Sequence, residues 1–112
     1  MAIDPLRSYK ETQIKTATPG RLVVMLYDGA IKHLTLALEA MESRHQKFDR
    51  VSGSLIRAQD IVTELMVSLD LERGGEIARS LLGLYMWMNS QLLQANISKQ
   101  SAPIEEVKRQ LV

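Results

Sequence analysis

The chain has 112 residues, no cysteine and a formal net charge of +1. A chain of that length buries a core without disulfides or metal, and the absence of Cys removes disulfides, thiolate metal sites and Cys nucleophiles together. Lys and Arg are spread along the chain rather than gathered on one basic face, which argues against nucleic-acid binding.

The opening residues, MAIDPLRSYKETQ, hold no apolar core of signal-peptide length. No apolar run approaches the ~20 residues of a membrane span. The expectation is one soluble, cytoplasmic domain without membrane insertion. Aromatic residues are scarce at 4%, six Met contribute to the apolar bulk, and the only prolines are Pro5, Pro19 and Pro103. A long Pro-free middle suits an all-α protein.

Asp4-Pro5 reads as an N-cap followed by Pro at the first helical position. The short polar helix it would open is marginal alone, so residues 1–17 are expected to be mobile or loosely docked. Thr18-Pro19 opens the first long helix by the same chemistry, and the pattern carries it to about Ser43. Val23, Tyr27, Ala30, Leu34, Leu38 and Met41 recur at helical spacing. A second apolar row holds Leu22, Met25, Gly29, Leu36 and Ala40, and the only polar stripe runs from Asp28 through Lys32, Thr35 and Glu39 to Glu42. A helix apolar on most sides must be surrounded, either by its own fold or by a guest helix in a groove. Pattern alone leaves both open.

After a polar corner at Arg44–Lys47, a second helix is expected from about Asp49 to Leu69. Its core row is Val51, Leu55, Ala58, Val62, Leu65 and Leu69. The stretch Asp70–Gly75 is the clearest break, its two glycines relaxing the backbone for a helix–helix turn. A third helix is expected from about Gly75 to Ile97, with Ile77, Leu81, Tyr85, Met88, Leu92 and Ala95 in a row. Trp87 falls among Gly83, Ser90 and Gln91 on its polar side, where it is either half-buried under the N-terminal segment or a partner contact. Residues 99–102 form a linker, and Pro103 opens a short last helix with Ile104, Val107 and Leu111 on one face. Three long helices and one short one, joined by short turns, make an antiparallel helical bundle.

The residues argue against an enzyme. Neither His33 nor His45 has the i, i+4 partners of a helical metal site. Gly74-Gly75 precedes a helix without the Lys-Ser/Thr of a P-loop. A di-iron bundle takes an inward Glu-x-x-His motif from each of two helices, and two such motifs are not present. No cofactor or metal is expected. Two alternatives stay open: a histidine phosphotransfer bundle using His33 or His45, although the Lys and Gly such domains place just after the His follow neither, and a purely structural oligomerising bundle.

Several stretches taken in order carry a resemblance. Tyr9, Gln13-Ile14 and Thr16-Ala17-Thr18-Pro19 come first, then Leu22-Val23, Met25-Leu26-Tyr27-Asp28-Gly29-Ala30. Ala58-Gln59-Asp60-Ile61, Glu64-Leu65 and Leu69-Asp70 follow in the second helix. Gly74-Gly75-Glu76-Ile77-Ala78, Leu81, Leu84-Tyr85, Leu92 and Ala95-Asn96 follow in the third, and Ile104-Glu105-Glu106-Val107 in the last. Together they resemble the flagellar secretion chaperone family FliS over nearly the whole chain. The resemblance implies a bundle that binds the disordered C-terminal segment of flagellin, which folds into helices as it wraps the chaperone. It implies an N-terminal segment that covers part of the groove when no client is bound. Tyr9 and Ile14 would belong to that cover and Leu22, Leu26 and Tyr27 to nearby surface; with Trp87, singled out by its place on the polar side of the third helix, they make up the candidate client-binding groove. The flagellar export gate and an anti-sigma factor are further partners implied this way. Two departures stand out: Met86-Trp87 follows Tyr85 where the family often has a charged or polar residue, and the last helix ends at Val112, earlier than is usual. The fourth helix is therefore expected to cover less of the bundle, leaving monomer or homodimer open.

Overall fold

The computed structural model describes residues 19–43 and 48–112. Four helices follow one another: α1 Pro19–Glu42, α2 Phe48–Val67, α3 Leu71–Ser98 and α4 Ala102–Leu111. The fold is an all-α bundle of three long helices and a short fourth, as the spacing of apolar residues predicts.

Each helix turns its apolar row inward. In α2 the buried residues are Val51, Leu55, Ala58, Val62 and Leu65, spaced by three and four so that they share one face. Ala30, Leu34 and Ala37 of α1 meet them, with Tyr85, Met88, Leu92 and Ala95 of α3 and Ile104, Val107 and Leu111 of α4, in one cluster. Burying a large aliphatic side chain contributes about 1.5–3 kcal/mol, so this row is the main source of stability.

The helices are arranged in a ring: α1 packs along α2, α2 along α3, and α4 against both α3 and α1. Side-chain bonds fix the α2–α3 register. The Ser52 hydroxyl donates to Asn96 Oδ1 at 2.7 Å, and Asn89 Nδ2 donates to Thr63 Oγ1 at 3.1 Å. Positions rise along α2 as they fall along α3, so the pair is antiparallel. Between α1 and α2 the approach is close at Gly29, where a Cβ would stand 3.2 Å from Ile61 Cδ1.

The α2–α3 connection is tighter than the sequence pattern suggests. Asp70 caps a helical turn that begins at Leu71, its carboxylate accepting from the backbone N–H of Glu72 and Arg73. The break comes at Gly75, whose φ of 55° and ψ of −132° lie outside helical space. The predicted start at Gly75 is thus the point where the chain re-enters the long helix, and the turn before it is already helical because Asp70 satisfies its first amides. At the other end Lys99 closes α3 in the left-handed conformation, φ 56°, with its N–H on Ala95 O. Ser101 precedes α4, which has Pro103 in its first turn.

Candidate functional site

α4 packs against both α3 and α1. Toward the N-terminal ends of α1 and α3, where α2 passes into α3, the described residues line an apolar furrow.

A cavity of ≈ 470 Å³ marks its floor, lined by Val23 of α1, Leu65 near the end of α2, Leu69 of the α2–α3 connection, and Ile77, Leu81 and Tyr85 of α3. Ile77 and Leu81 continue into a neighbouring depression with Leu84. Ile77 is 76% exposed and Val24 58%, large values for β-branched residues in a small protein. Polar groups stand at the rim: Ser68, and Asp70 with Arg73, whose side chains pair at 3.7 Å in solvent.

Tyr27 and Tyr85 tie α1 to α3 beside this furrow. Their hydroxyl oxygens are 2.7 Å apart and hydrogen-bonded, and their rings meet edge to face with centroids 6.4 Å apart. Tyr85 is 2% exposed. Burial, and then the bond to Tyr27, hold its phenol well above the ordinary tyrosine pKa.

A second apolar track lies on the outer side of the α2–α3 pair. Met86, Leu93 and Ile97 recur at i, i+7 and i+11 on one face of α3 and are exposed, as is Ile56, one turn beyond Ser52 on α2.

The residues singled out from the sequence fall in different places. Tyr27 is half-buried and hydrogen-bonded to Tyr85, which lines the furrow. Leu22 and Leu26 are half-buried, on the flank of α1 that Gly29 shares and that faces α2. Trp87 is 36% exposed and, two residues from Tyr85, points away from the furrow. Tyr9, Ile14 and the N-terminal cover lie outside the described residues, as does His45. His33 is half-buried on α1 with its Nδ1 enclosed. The sequence reading placed Val23 and Ile77 in core rows, and both line the furrow instead; their spacing signals the inward side, but among the described residues no helix covers them. Among the described residues there is no cluster of three metal-ligating side chains, and no helix is long and apolar enough to cross a membrane.

The described residues form an all-helical bundle with an apolar furrow. Comparison with known proteins makes the family specific. The family model described as "Flagellar protein FliS" matches residues 2–112. The chain is 38% identical over 108 residues to the flagellar secretion chaperone FliS of Bacillus subtilis, covering 96% of this chain and 78% of that protein. It is 40% identical over 98 residues to the flagellar secretion chaperone FliSB of Pseudomonas aeruginosa, covering 87% and 75%. Against the flagellar secretion chaperone FliS of Escherichia coli it is 37% identical over 98 residues, covering 87% and 71%. The chain belongs to the FliS family, a family of chaperones and not of enzymes.

Proposed function

We propose that this chain is a cytoplasmic export chaperone that binds the disordered C-terminal segment of flagellin, blocks its premature polymerisation and keeps it competent for flagellar secretion. The observation that carries this reading is the α1–α3 furrow, apolar along its floor and polar at its rim. An amphipathic helix laid there buries its apolar face against Val23, Ile77 and Leu81. The outer α2–α3 track at Met86, Leu93 and Ile97 supports a client that passes over more than one face.

The physical logic suits a holdase. A disordered segment whose apolar helical faces pair with other copies must be covered until it assembles. Folding on binding buries on the order of 1,000–3,000 Å² while ordering costs about 2–5 kcal/mol. That cost keeps affinity moderate for the area and leaves release feasible.

Calorimetry with the C-terminal segment of the cognate flagellin tests the reading. Binding at or below about tens of micromolar, with a negative heat-capacity change, supports it. No heat at that concentration would sink the client assignment and return the furrow to a merely structural role.

A further inference from the structure

We propose that the outer α2–α3 face is where two copies of this chain pair, about a twofold axis that runs along the groove between the two helices. The pairing concerns the client-free chain and does not depend on what the furrow holds.

The face is apolar and turned away from the core. Ile56 and Val67 of α2 and Met86, Leu93 and Ile97 of α3 are between 50% and 80% exposed. Leu82, half-buried, extends the α3 row. Along α3 the positions Leu82, Met86, Asn89, Leu93 and Asn96 alternate steps of four and three, the spacing of a seam that meets another helix. Asn89 and Asn96 form its floor, bonded to Thr63 and Ser52 of α2, and the apolar side chains stand outside them. Ile104, Val107 and Leu111 of α4 join the inward row of α3 at Met88 and Leu92, so α4 and this face lie on different sides of α3.

Self-complementarity argues for a second copy as the occupant. The Ser52–Asn96 and Thr63–Asn89 bonds fix which residues of the antiparallel pair stand level: Ile56 with Leu93, and Val67 with Leu82. A twofold axis along the groove lays α2 of each copy over α3 of the other at the same height. Ile56 then meets Leu93 of the partner subunit, and Val67 meets Leu82 of the partner subunit. Neighbouring helices in the resulting group of four all run antiparallel, as in an ordinary four-helix bundle. Asp60, the exposed acid on this side of α2, stands level with the uncharged Ser90 of the partner subunit. A twofold axis across the helices would instead lay α2 on α2 and bring Asp60 close to its own symmetry mate, a like-charge contact that disfavours that arrangement.

The size fits a reversible dimer. From Leu82 to Ile97 the seam runs about 22 Å, and two helices side by side are about 20 Å wide. The flat footprint is about 450 Å² on each copy, and the relief of the side chains adds to it. The pair therefore buries on the order of 1,000 Å², the low end of specific interfaces, where association is reversible on dilution.

Sedimentation equilibrium of the whole chain between about 1 and 300 µM, without client, tests the pairing. Wild type should pass from monomer to dimer with a Kd on the order of tens of micromolar. Leu93→Asp puts a charge inside the seam and should weaken the dimer by at least about tenfold. Its melting curve by circular dichroism should stay near wild type, because Leu93 is exposed in the single chain. Ile77→Asp, in the furrow, should leave the dimer within about twofold of wild type. The chain has no cysteine, so single cysteines report the axis. Under mild oxidation a mixture of Ile56→Cys and Leu93→Cys chains should cross-link faster than either variant alone. A wild type that is still monomeric at the highest concentration overturns the pairing. If Leu93→Asp then also weakens binding of the flagellin segment, the face belongs to the client and not to a second copy. A dimer that Leu93→Asp leaves intact overturns this face as its site, and faster cross-linking of Ile56→Cys with itself overturns the axis.

Discussion

A Cβ on Gly74 would stand 2.5 Å from the Cβ of Ala78, closer than real Cβ contacts come. Ala78 is buried, so neither residue can yield without shifting the start of α3. Gly75 follows with a positive φ and a ψ that side chains other than hydrogen rarely tolerate. Gly74→Ala and Gly75→Ala should each lose about 1–3 kcal/mol of stability in urea unfolding. Gly74 lines the furrow, so Gly74→Ala should also weaken binding of the flagellin segment. A neutral result for Gly75→Ala would mean that the kink relaxes into a continuous helix.

Lys99 combines two roles that point in opposite directions. Its left-handed backbone is a conformation that glycine adopts at lower cost. Its ammonium group donates to Ser52 Oγ at 3.2 Å and to Asn96 Oδ1, joining the end of α3 to the start of α2. Lys99→Ala loses the bonds and keeps the backbone strain, whereas Lys99→Gly loses the bonds and relieves it. Chemical denaturation should therefore rank wild type first or level with Lys99→Gly, and Lys99→Ala lowest by about 1–2 kcal/mol. Equal stability for the Gly and Ala variants would remove the strain from this account.

How much of this was legible beforehand depends on whether a residue has a neighbour. The α2 row from Val51 to Leu65 reads directly from its spacing because α2 is flanked on both sides, by α1 and α3. Ile77 has the same spacing with respect to Leu81 and Tyr85, yet it is exposed. Periodicity gives the direction in which a side chain points, not whether another helix stands there. Val23 is the same case across the furrow. The start of the last helix was readable from Pro103, and its place against both α3 and α1 was not. The Tyr27–Tyr85 bond joins residues 58 positions apart, a separation at which a single sequence carries no pairing signal.

Tyr85 gives the fold a specific alkaline sensitivity. Its folded-state pKa lies above the unfolded value, which is about 10. Below pH of about 10 the phenol is protonated in both states and its contribution to stability is fully present. As pH rises past that value the unfolded chain loses the Tyr85 proton while the folded chain keeps it. The unfolded state then binds fewer protons, so stability falls with rising pH until the folded-state pKa is reached. Urea midpoints measured between about pH 9 and 11 should decline more steeply for wild type than for Tyr85→Phe. Parallel curves would show that Tyr85 ionises as easily in the folded protein as in the unfolded chain.

The furrow can be separated from the core by two substitutions on the same helix. Ile77 is 76% exposed and lines the furrow, while Leu92 is fully buried two turns beyond Tyr85. Ile77→Asp places a charge in solvent, so stability should stay within about 0.5 kcal/mol of wild type. In a complex that charge would be covered by the client without a partner, and the apolar contact of the isoleucine would be lost. Affinity for the flagellin segment should therefore fall by at least about tenfold. Leu92→Ala should do the reverse: a loss of about 2–5 kcal/mol in unfolding free energy, with client affinity near wild type wherever the variant is still folded. Calorimetry and urea unfolding on both variants give the four numbers. Unchanged affinity in a folded Ile77→Asp chain would move the client off this furrow and onto the outer α2–α3 track, where Leu93→Asp and Ile97→Asp are the next variants to measure.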